Sequence, residues 1–145
     1  MSLRLADQLC FSLYAASRAV TAAYAPLLAP LGLTYPQYLV MLVLWETDGA
    51  SVKQIGEALM LDSGTLTPLL KRLETQGLVR RSRSTTDERV VEIHLTPQGK
   101  RLEQKARAVP EKVATCLGAS MKDIVRLRTE LHALTQKTRA AIAAR

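Results

Sequence analysis

The stretch DSGTLTPLLKRLETQG, residues 62–77, runs directly into LVRRSRSTTDERVVEIHL, residues 78–95, and this pair decides the fold. In the first segment Leu66, Leu69, Leu70 and Leu73 fall on one stripe at helical spacing. Asp62 or Ser63 can cap its start, and Gly77 is a natural stop. The opposite side carries Ser63, Thr65, Thr67, Lys71 and Arg72. Leucines on the buried side with short hydroxyls and bases on the free side suit a DNA major groove. Short hydroxyls allow close approach, and the bases reach phosphates or guanine edges. Taken alone, the pattern also describes any solvated amphipathic helix.

The second segment shifts the balance. LVRRSRS, residues 78–84, and RVVEIHL, residues 89–95, read as two strands, because Val91, Ile93 and Leu95 alternate with Glu92 and His94. The link TTDE completes a basic hairpin holding Arg80, Arg81, Arg83 and Arg89. A helix–turn–helix followed at once by an arginine-rich hairpin is a winged helix–turn–helix. Its tip is placed to put an arginine near a phosphate or into a minor groove. The order of the elements makes DNA binding a better account than a solvated charge run.

Upstream, Ser51 with Gln54 forms a capping box for a short helix carrying Val52, Ile55 and Leu59, and Asp48-Gly49 is a turn. Before it, Thr34 caps a helix that tolerates Pro36 in its first turn. That helix runs through Leu44 and Trp45, and its nearly all-round apolar character predicts burial. Apolar spacing through Leu5, Leu9, Leu13 and Val20 predicts a first helix from about Leu3 to Leu28. Pro26 should kink or end it. After the wing, Thr96-Pro97 starts a long helix that Pro110 should kink near its middle. Ser120 and Asp123 cap a last helix with Ile124, Leu127, Leu131, Leu134 and Ile142 on one side. The expected architecture is mainly α with a small β-hairpin wing, as a single domain over 1–145. About 34–96 form the DNA-reading part, and about 3–30 and 97–145 are dimerisation helices. Apolar stripes at both chain ends need a cover, and a homodimer supplies it. Two copies would set their recognition helices about 34 Å apart, one DNA turn, on double-stranded operator DNA.

The composition agrees. Of 145 residues 48% are hydrophobic, enough for a core, and 20 Lys and Arg against 13 Asp and Glu leave +7, favouring a polyanionic partner. No apolar run approaches the ~20 residues of a spanning helix, and MSLRLADQLC lacks a signal peptide's apolar region. A cytoplasmic protein with no membrane association is the expectation. The two histidines, His94 and His132, and the two cysteines, Cys10 and Cys116, show no zinc-ligand spacing. There is no phosphate-binding glycine loop and no serine nucleophile elbow. The expectation is therefore no enzyme, no metal and no cofactor.

One thiol stands out. Cys10 lies among Leu9, Phe11 and Leu13, with Tyr14 four residues on. An ordinary buried thiol is the plain alternative. Helical spacing puts Cys10 and Tyr14 on one face about 6 Å apart. Tyr24 is roughly 21 Å further along a continuous helix and cannot reach that thiol within it, though a partner chain packed alongside could bring it there.

The run DERVVEIHLTPQG is similar to the D-x-R…L-T-x-x-G signature of MarR-family repressors, carried here by Asp87, Arg89, Leu95, Thr96 and Gly99. More narrowly, LDSGTLTPLLKRLE, LTYPQYLVMLVLWE and LCFSLYAASR resemble the OhrR branch of that family, the organic-hydroperoxide-sensing repressors. The resemblance spans nearly the whole chain. It implies that Cys10 is the peroxidatic cysteine. It also implies that Tyr24 and Tyr35 hydrogen-bond that cysteine from the partner subunit, with Tyr14 a nearby third. Ser63, Thr65, Thr67, Pro68, Lys71 and Arg72 fall on DNA-contacting positions, and Arg89 on the minor-groove arginine that Asp87 orients. Cys116 falls where two-cysteine members carry a resolving cysteine, which the resemblance pairs with Cys10 across the dimer. Organic hydroperoxides are the implied inducers. The chemistry is consistent: phenol hydrogen bonds would favour a thiolate, and thiolate attack on an O–O bond gives a sulfenic acid that a second thiol converts to a disulfide. The neighbouring Leu9, Phe11 and Leu13 would admit apolar hydroperoxides. The alternatives are a MarR-type repressor released by a small phenolic or drug-like ligand, a thiol peroxidase and a basic membrane-surface protein. No activating Arg or Thr stands within four residues before Cys10, and no CxxC is present, which counts against the peroxidase. No sufficiently basic amphipathic helix supports the membrane alternative.

Overall fold

The computed structural model describes residues 2–144, in the order α1 (Leu9–Leu28), α2 (Tyr35–Glu46), α3 (Val52–Leu59), α4 (Ser63–Thr75), β1 (Val79–Arg83), β2 (Val91–Leu95), α5 (Pro97–Ala106), α6 (Val109–Cys116) and α7 (Met121–Ala143). Helices dominate, and the two strands form one antiparallel hairpin with Val79 opposite Leu95, Arg81 opposite Ile93 and Arg83 opposite Val91. The chain divides after Val109 into two compact units. No single helix among the described residues is long and apolar enough to cross a membrane.

Side-chain caps set most of the helix starts. Thr34 accepts the Gln37 N–H while the Gln37 side chain accepts the Thr34 N–H at 2.9 Å, and Ser51 with Gln54 repeats this reciprocal arrangement. Asp62 accepts the Thr65 N–H at 2.8 Å, and Ser120 accepts the Asp123 N–H at 3.1 Å. Each cap is worth about 1 kcal/mol of an otherwise unpaired donor.

The core of the first unit forms where α2, α3 and α4 meet the hairpin. Val40, Met41 and Leu44 of α2, Ile55 of α3, Leu66 and Leu73 of α4 and Ile93 of β2 are all fully buried, as is Leu28 at the end of α1. The leucine stripe of residues 62–77 is therefore the inward face of α4, with Leu69 at its margin. Burial of α2 is not all-round: Leu42 points outward. Ile93 donates its N–H to Ala50 O and accepts from Gly49 N, both at 3.0 Å, which pins the hairpin to the loop before α3.

The junction of wing and α5 is drawn tight around the turn that ends α4. Gly77, with φ +73°, reverses the chain there. Thr96 donates its hydroxyl to Gly77 O at 2.6 Å and its N–H to Leu78 O at 3.0 Å, and it accepts the Gly99 N–H at 3.1 Å as the cap of α5. Trp45 of α2 then donates Nε1–H to Gly99 O at 3.0 Å.

Several boundaries differ from the sequence expectation. The first helix starts at Leu9 and not near Leu3. A single 3-10 turn covers Leu5–Asp7, and extended Gln8 (φ −92°, ψ 117°) separates it from α1. Pro26 does not end α1, which runs two residues further to Leu28 before another 3-10 turn at Ala29–Leu31. The expected long, kinked helix after the wing is two helices: α5 stops at Ala106, and Pro110 sits in the first turn of α6, where a missing N–H is tolerated. Against the expected 78–84 and 89–95, β1 is one residue shorter at each end and β2 starts two residues later. Leu9, Phe11 and Tyr14 on α1, and Leu127, Leu131 and Ile142 on α7, are exposed in the single chain.

A Cβ added at Gly99 would lie 2.1 Å from the Leu78 carbonyl oxygen. Helix propensity alone would favour alanine here by about 1 kcal/mol, but α5 cannot keep its seat with that contact. Gly99→Ala should therefore lower stability by about 1–3 kcal/mol, read as a lower urea midpoint at unchanged slope. A raised midpoint would show that the close approach does not constrain the junction.

Candidate nucleic-acid interface and thiol sites

The outer face of α4 is built from side chains the core leaves free. Ser63, Thr65, Thr67, Pro68, Lys71 and Arg72 are all exposed, opposite buried Leu66, Leu70 and Leu73. Thr67 donates its hydroxyl to Ser63 O at 2.7 Å, which leaves its oxygen lone pairs facing out. Pro68 has no N–H to bond Gly64 O, so α4 lacks one ladder hydrogen bond there. Among the described residues, Lys71 and Arg72 make neither an ion pair nor a side-chain hydrogen bond. The Thr65 backbone and then side-chain hydrogen bonds hold the Asp62 carboxyl below the usual range, so the cap stays ionised at neutral pH.

The wing arginines divide by their commitments. Arg81 binds Glu74 of α4 through Nε at 3.3 Å and its own N–H at 3.3 Å, tying the wing to α4. Arg83 donates to Glu88 O at 2.9 Å across the hairpin loop. Arg80 makes no ion pair among the described residues. Arg89 is held in a fork by Asp87, with Nε to Oδ1 and Nη2 to Oδ2 both at 3.1 Å, while its side chain stays 90% exposed. The Arg89 guanidinium first, and then the Arg89 N–H, hold the Asp87 carboxyl below the usual range. A planar guanidinium pre-set by a carboxylate, at the outer end of a hairpin, suits insertion along a groove.

Both thiols are free and exposed. Cys10 is the second residue of α1 and is exposed in the single chain. Tyr14 accepts a hydrogen bond from Arg18 Nη1 at 3.2 Å, and the guanidinium carbon lies 5.4 Å from the ring centre. Tyr24 and Tyr35 come together at the other end of α1, with ring centroids 4.8 Å apart. Tyr38 lies 5.8 Å from Tyr24, and Trp45 is 6.3 Å from Tyr38. Burial, then the neighbouring Tyr35, raises the Tyr24 pKa, and burial raises that of Tyr35, so both phenols remain hydrogen-bond donors at neutral pH. Within one chain the structure gathers Tyr24 with Tyr35 and leaves Cys10 at the far end of an unbroken helix. Cys116 is the last residue of α6.

The Glu74–Arg81 tie is not readable from the sequence, where its only signal is a pair of opposite charges flanking the Gly77 turn. Asp48 reads there only as a turn residue, yet it accepts the Leu95 N–H at 2.7 Å and pairs with Lys100 at 3.1 Å. Partial burial opposes its ionisation, but those contacts outweigh that effect and lower its pKa. No group of three or more His, Cys, Asp or Glu able to hold a metal occurs among the described residues.

Comparison with known proteins places this geometry among regulators. The family described as transcriptional regulator SarA/Rot matches residues 22–106. The organic hydroperoxide resistance transcriptional regulator of Bacillus subtilis is 49% identical over 92% of this chain and 91% of its own. The HTH-type transcriptional regulator TtmR of Methylorubrum extorquens is 52% identical over 92% of this chain and 72% of its own. AbfR of Staphylococcus epidermidis has been solved both reduced on DNA (TM-score 0.82, 40% identity, 97% of this chain and 96% of that one) and with a disulfide formed (TM-score 0.64, 41% identity, 92% and 93%).

Because folding lowers the Asp87 pKa, the Asp87–Arg89 pair is intact above the usual carboxylate range. It is lost only as pH falls through the lowered value. Arg89→Ala should move the Asp87 titration, followed by carboxyl carbon NMR, back upward. An unmoved midpoint would mean the fork does not persist in solution.

Proposed function

Since the chain belongs to the MarR-type winged-helix transcriptional regulators, we propose that it is a redox-sensing repressor of organic hydroperoxide resistance, with Cys10 as the sensor. The observation that carries this reading is the pair of exposed free thiols in a chain whose α4 presents Lys71 and Arg72 on its outer face. The likeness to a regulator of organic hydroperoxide resistance and to a protein solved in DNA-bound and disulfide forms supports it.

In the proposed mechanism two copies associate through the exposed apolar residues of α1 and α7, covering Leu9, Phe11, Leu127 and Leu131. The partner's phenols approach Cys10 at that interface. The Cys10 thiolate attacks one peroxide oxygen, the O–O bond breaks, and the other oxygen leaves with the organic group to be protonated to the alcohol. The product is a Cys10 sulfenic acid. The Cys116 thiol of the partner subunit then displaces its hydroxyl as water, forming a disulfide across the dimer. A new covalent constraint between helices changes the spacing of the two α4 helices, and they no longer fit consecutive major grooves.

On operator DNA, Ser63, Thr65 and Thr67 approach the groove, Lys71 and Arg72 reach phosphate or guanine, and Arg89 enters the flanking minor groove. Arg72→Ala and Arg89→Ala should each weaken operator binding by about 1–3 kcal/mol while leaving thiol oxidation unchanged, as measured by mobility shift. Full affinity in both would place the reading head elsewhere.

Cys10→Ser should bind operator DNA normally and stay bound when organic hydroperoxide is added, because a serine hydroxyl offers no accessible anion to attack the O–O bond. Dithiothreitol should restore binding to the oxidised wild type. Cys116→Ser should lose the reducible dimer band on denaturing gels. Release of Cys10→Ser by peroxide would sink the sensor assignment. Release of the wild type by a small phenolic ligand, with indifference to oxidation, would favour a ligand-controlled repressor.

A further inference from the structure

The corner between α1 and α2, residues 29–34, joins the two tyrosines of the cluster. Tyr24 lies a little before it on α1, and Tyr35 is the first residue of α2 after it. A chain of side-chain hydrogen bonds runs from this corner to the far end of α4. Gln37 is only 4% exposed. Its Oε1 accepts the Thr34 N–H at 2.9 Å, and its Nε2 donates to Gln76 Oε1 at 3.3 Å. Gln76 is the C-terminal cap residue of α4, and its own Nε2 donates to Gly32 O at 2.8 Å. Both ends of the Gln76 amide are thus fastened to the corner, one to the loop at Gly32 and one to the first turn of α2.

We propose that Gln76, with Gln37, is the positioning link through which movement of the Tyr24–Tyr35 corner reaches the DNA-reading helix. This rests on the reading of Cys10 as a sensor acting through those tyrosines. The leucines of α4 hold the helix against the core by non-directional burial, which tolerates a small slide. Hydrogen bonds from a planar amide do not: two of them, to two points on the corner, fix both distance and direction. If the corner shifts, either the cap of α4 follows or the buried Gln37 amide loses its partner. Folded proteins avoid the second outcome. The amide pair therefore turns a displacement at the tyrosines into a displacement at one end of the recognition helix.

The test measures operator affinity of the reduced and the hydroperoxide-treated full-length protein for wild type, Gln76→Ala and Gln76→Met. Methionine keeps the length of the side chain and loses both hydrogen bonds. Gln76 is itself exposed, so neither change empties the core. In both variants the reduced affinity should stay within about threefold of wild type, while the ratio of reduced to oxidised affinity should shrink about tenfold, within the range of measured allosteric couplings. Oxidation of Cys10, followed by mass spectrometry, should proceed as in wild type. A role in mere support would weaken both states together and leave the ratio unchanged. An unchanged ratio in either variant overturns the link and leaves the Cys10 sensor standing. A wild type that keeps its DNA after Cys10 is oxidised overturns both.

Discussion

Thr96 binds three backbone groups at once. Its hydroxyl donates to Gly77 O and accepts from Gly99, and its N–H reaches Leu78 O. Those contacts join the end of the recognition helix, the start of the wing and the first turn of α5 at a single residue. Trp45 adds α2 by donating to Gly99 O, and the absence of a side chain at Gly99 lets α5 sit against Leu78 O. α4, the hairpin and α5 all meet at this point. Tilting α5 would pull the turn after α4, and with it the angle between α4 and the hairpin that Glu74 and Arg81 also hold. The L-T-x-x-G string thus has a geometric cause: a hydroxyl to clamp a turn and a bare Cα to let a helix approach.

Much of this fold is legible in the sequence because its signals are local. Thr34, Ser51, Asp62, Thr96 and Ser120 act as the caps their sequence context indicates, since a cap needs only a short oxygen and a nearby N–H. Period-two alternation from Val91 to Leu95 marks the buried face of the wing for the same reason. The failures are places where periodicity continues across a break. Leu5 and Leu9 keep helical spacing although Gln8 between them is extended. Pro26 falls where the chain is leaving α1 anyway, and so near the end its lost hydrogen bond does not stop the helix. Pro110 marks a start and not the expected kink. Proline forbids an N–H but does not say whether the chain bends or begins again.

The exposed side of α4 is legible from composition alone, because leucine and hydroxyl faces separate cleanly on a helix of 13 residues. Partition of the arginines is not. Arg80, Arg81, Arg83 and Arg89 look alike as a basic run, yet the last three bind Glu74, a backbone carbonyl and Asp87, all supplied by α4 or the hairpin loop and not by the strands themselves. The thiol site is legible only as a helix face. Spacing correctly keeps Tyr24 away from Cys10 along α1, but the pairing of Tyr24 with Tyr35 depends on how α1 and α2 cross, which no local pattern encodes.

The division among the arginines sets how this protein should respond to ionic strength. Phosphate neutralisation expels condensed counterions from the duplex, and affinity falls with salt by roughly 0.9 logarithmic units per phosphate contacted and per decade of salt. Lys71, Arg72 and Arg80 bring charges with no ion-pair partner among the described residues, whereas Arg81 and Arg89 already sit beside carboxylates that cancel much of their field. The formal +7 already counts Glu74 and Asp87 against Arg81 and Arg89, so pairing changes where the surplus charge lies and not how much there is. On a duplex laid along this face, the salt dependence would rest on Lys71, Arg72 and Arg80 more than on the two arginines whose charge a neighbouring carboxylate already offsets.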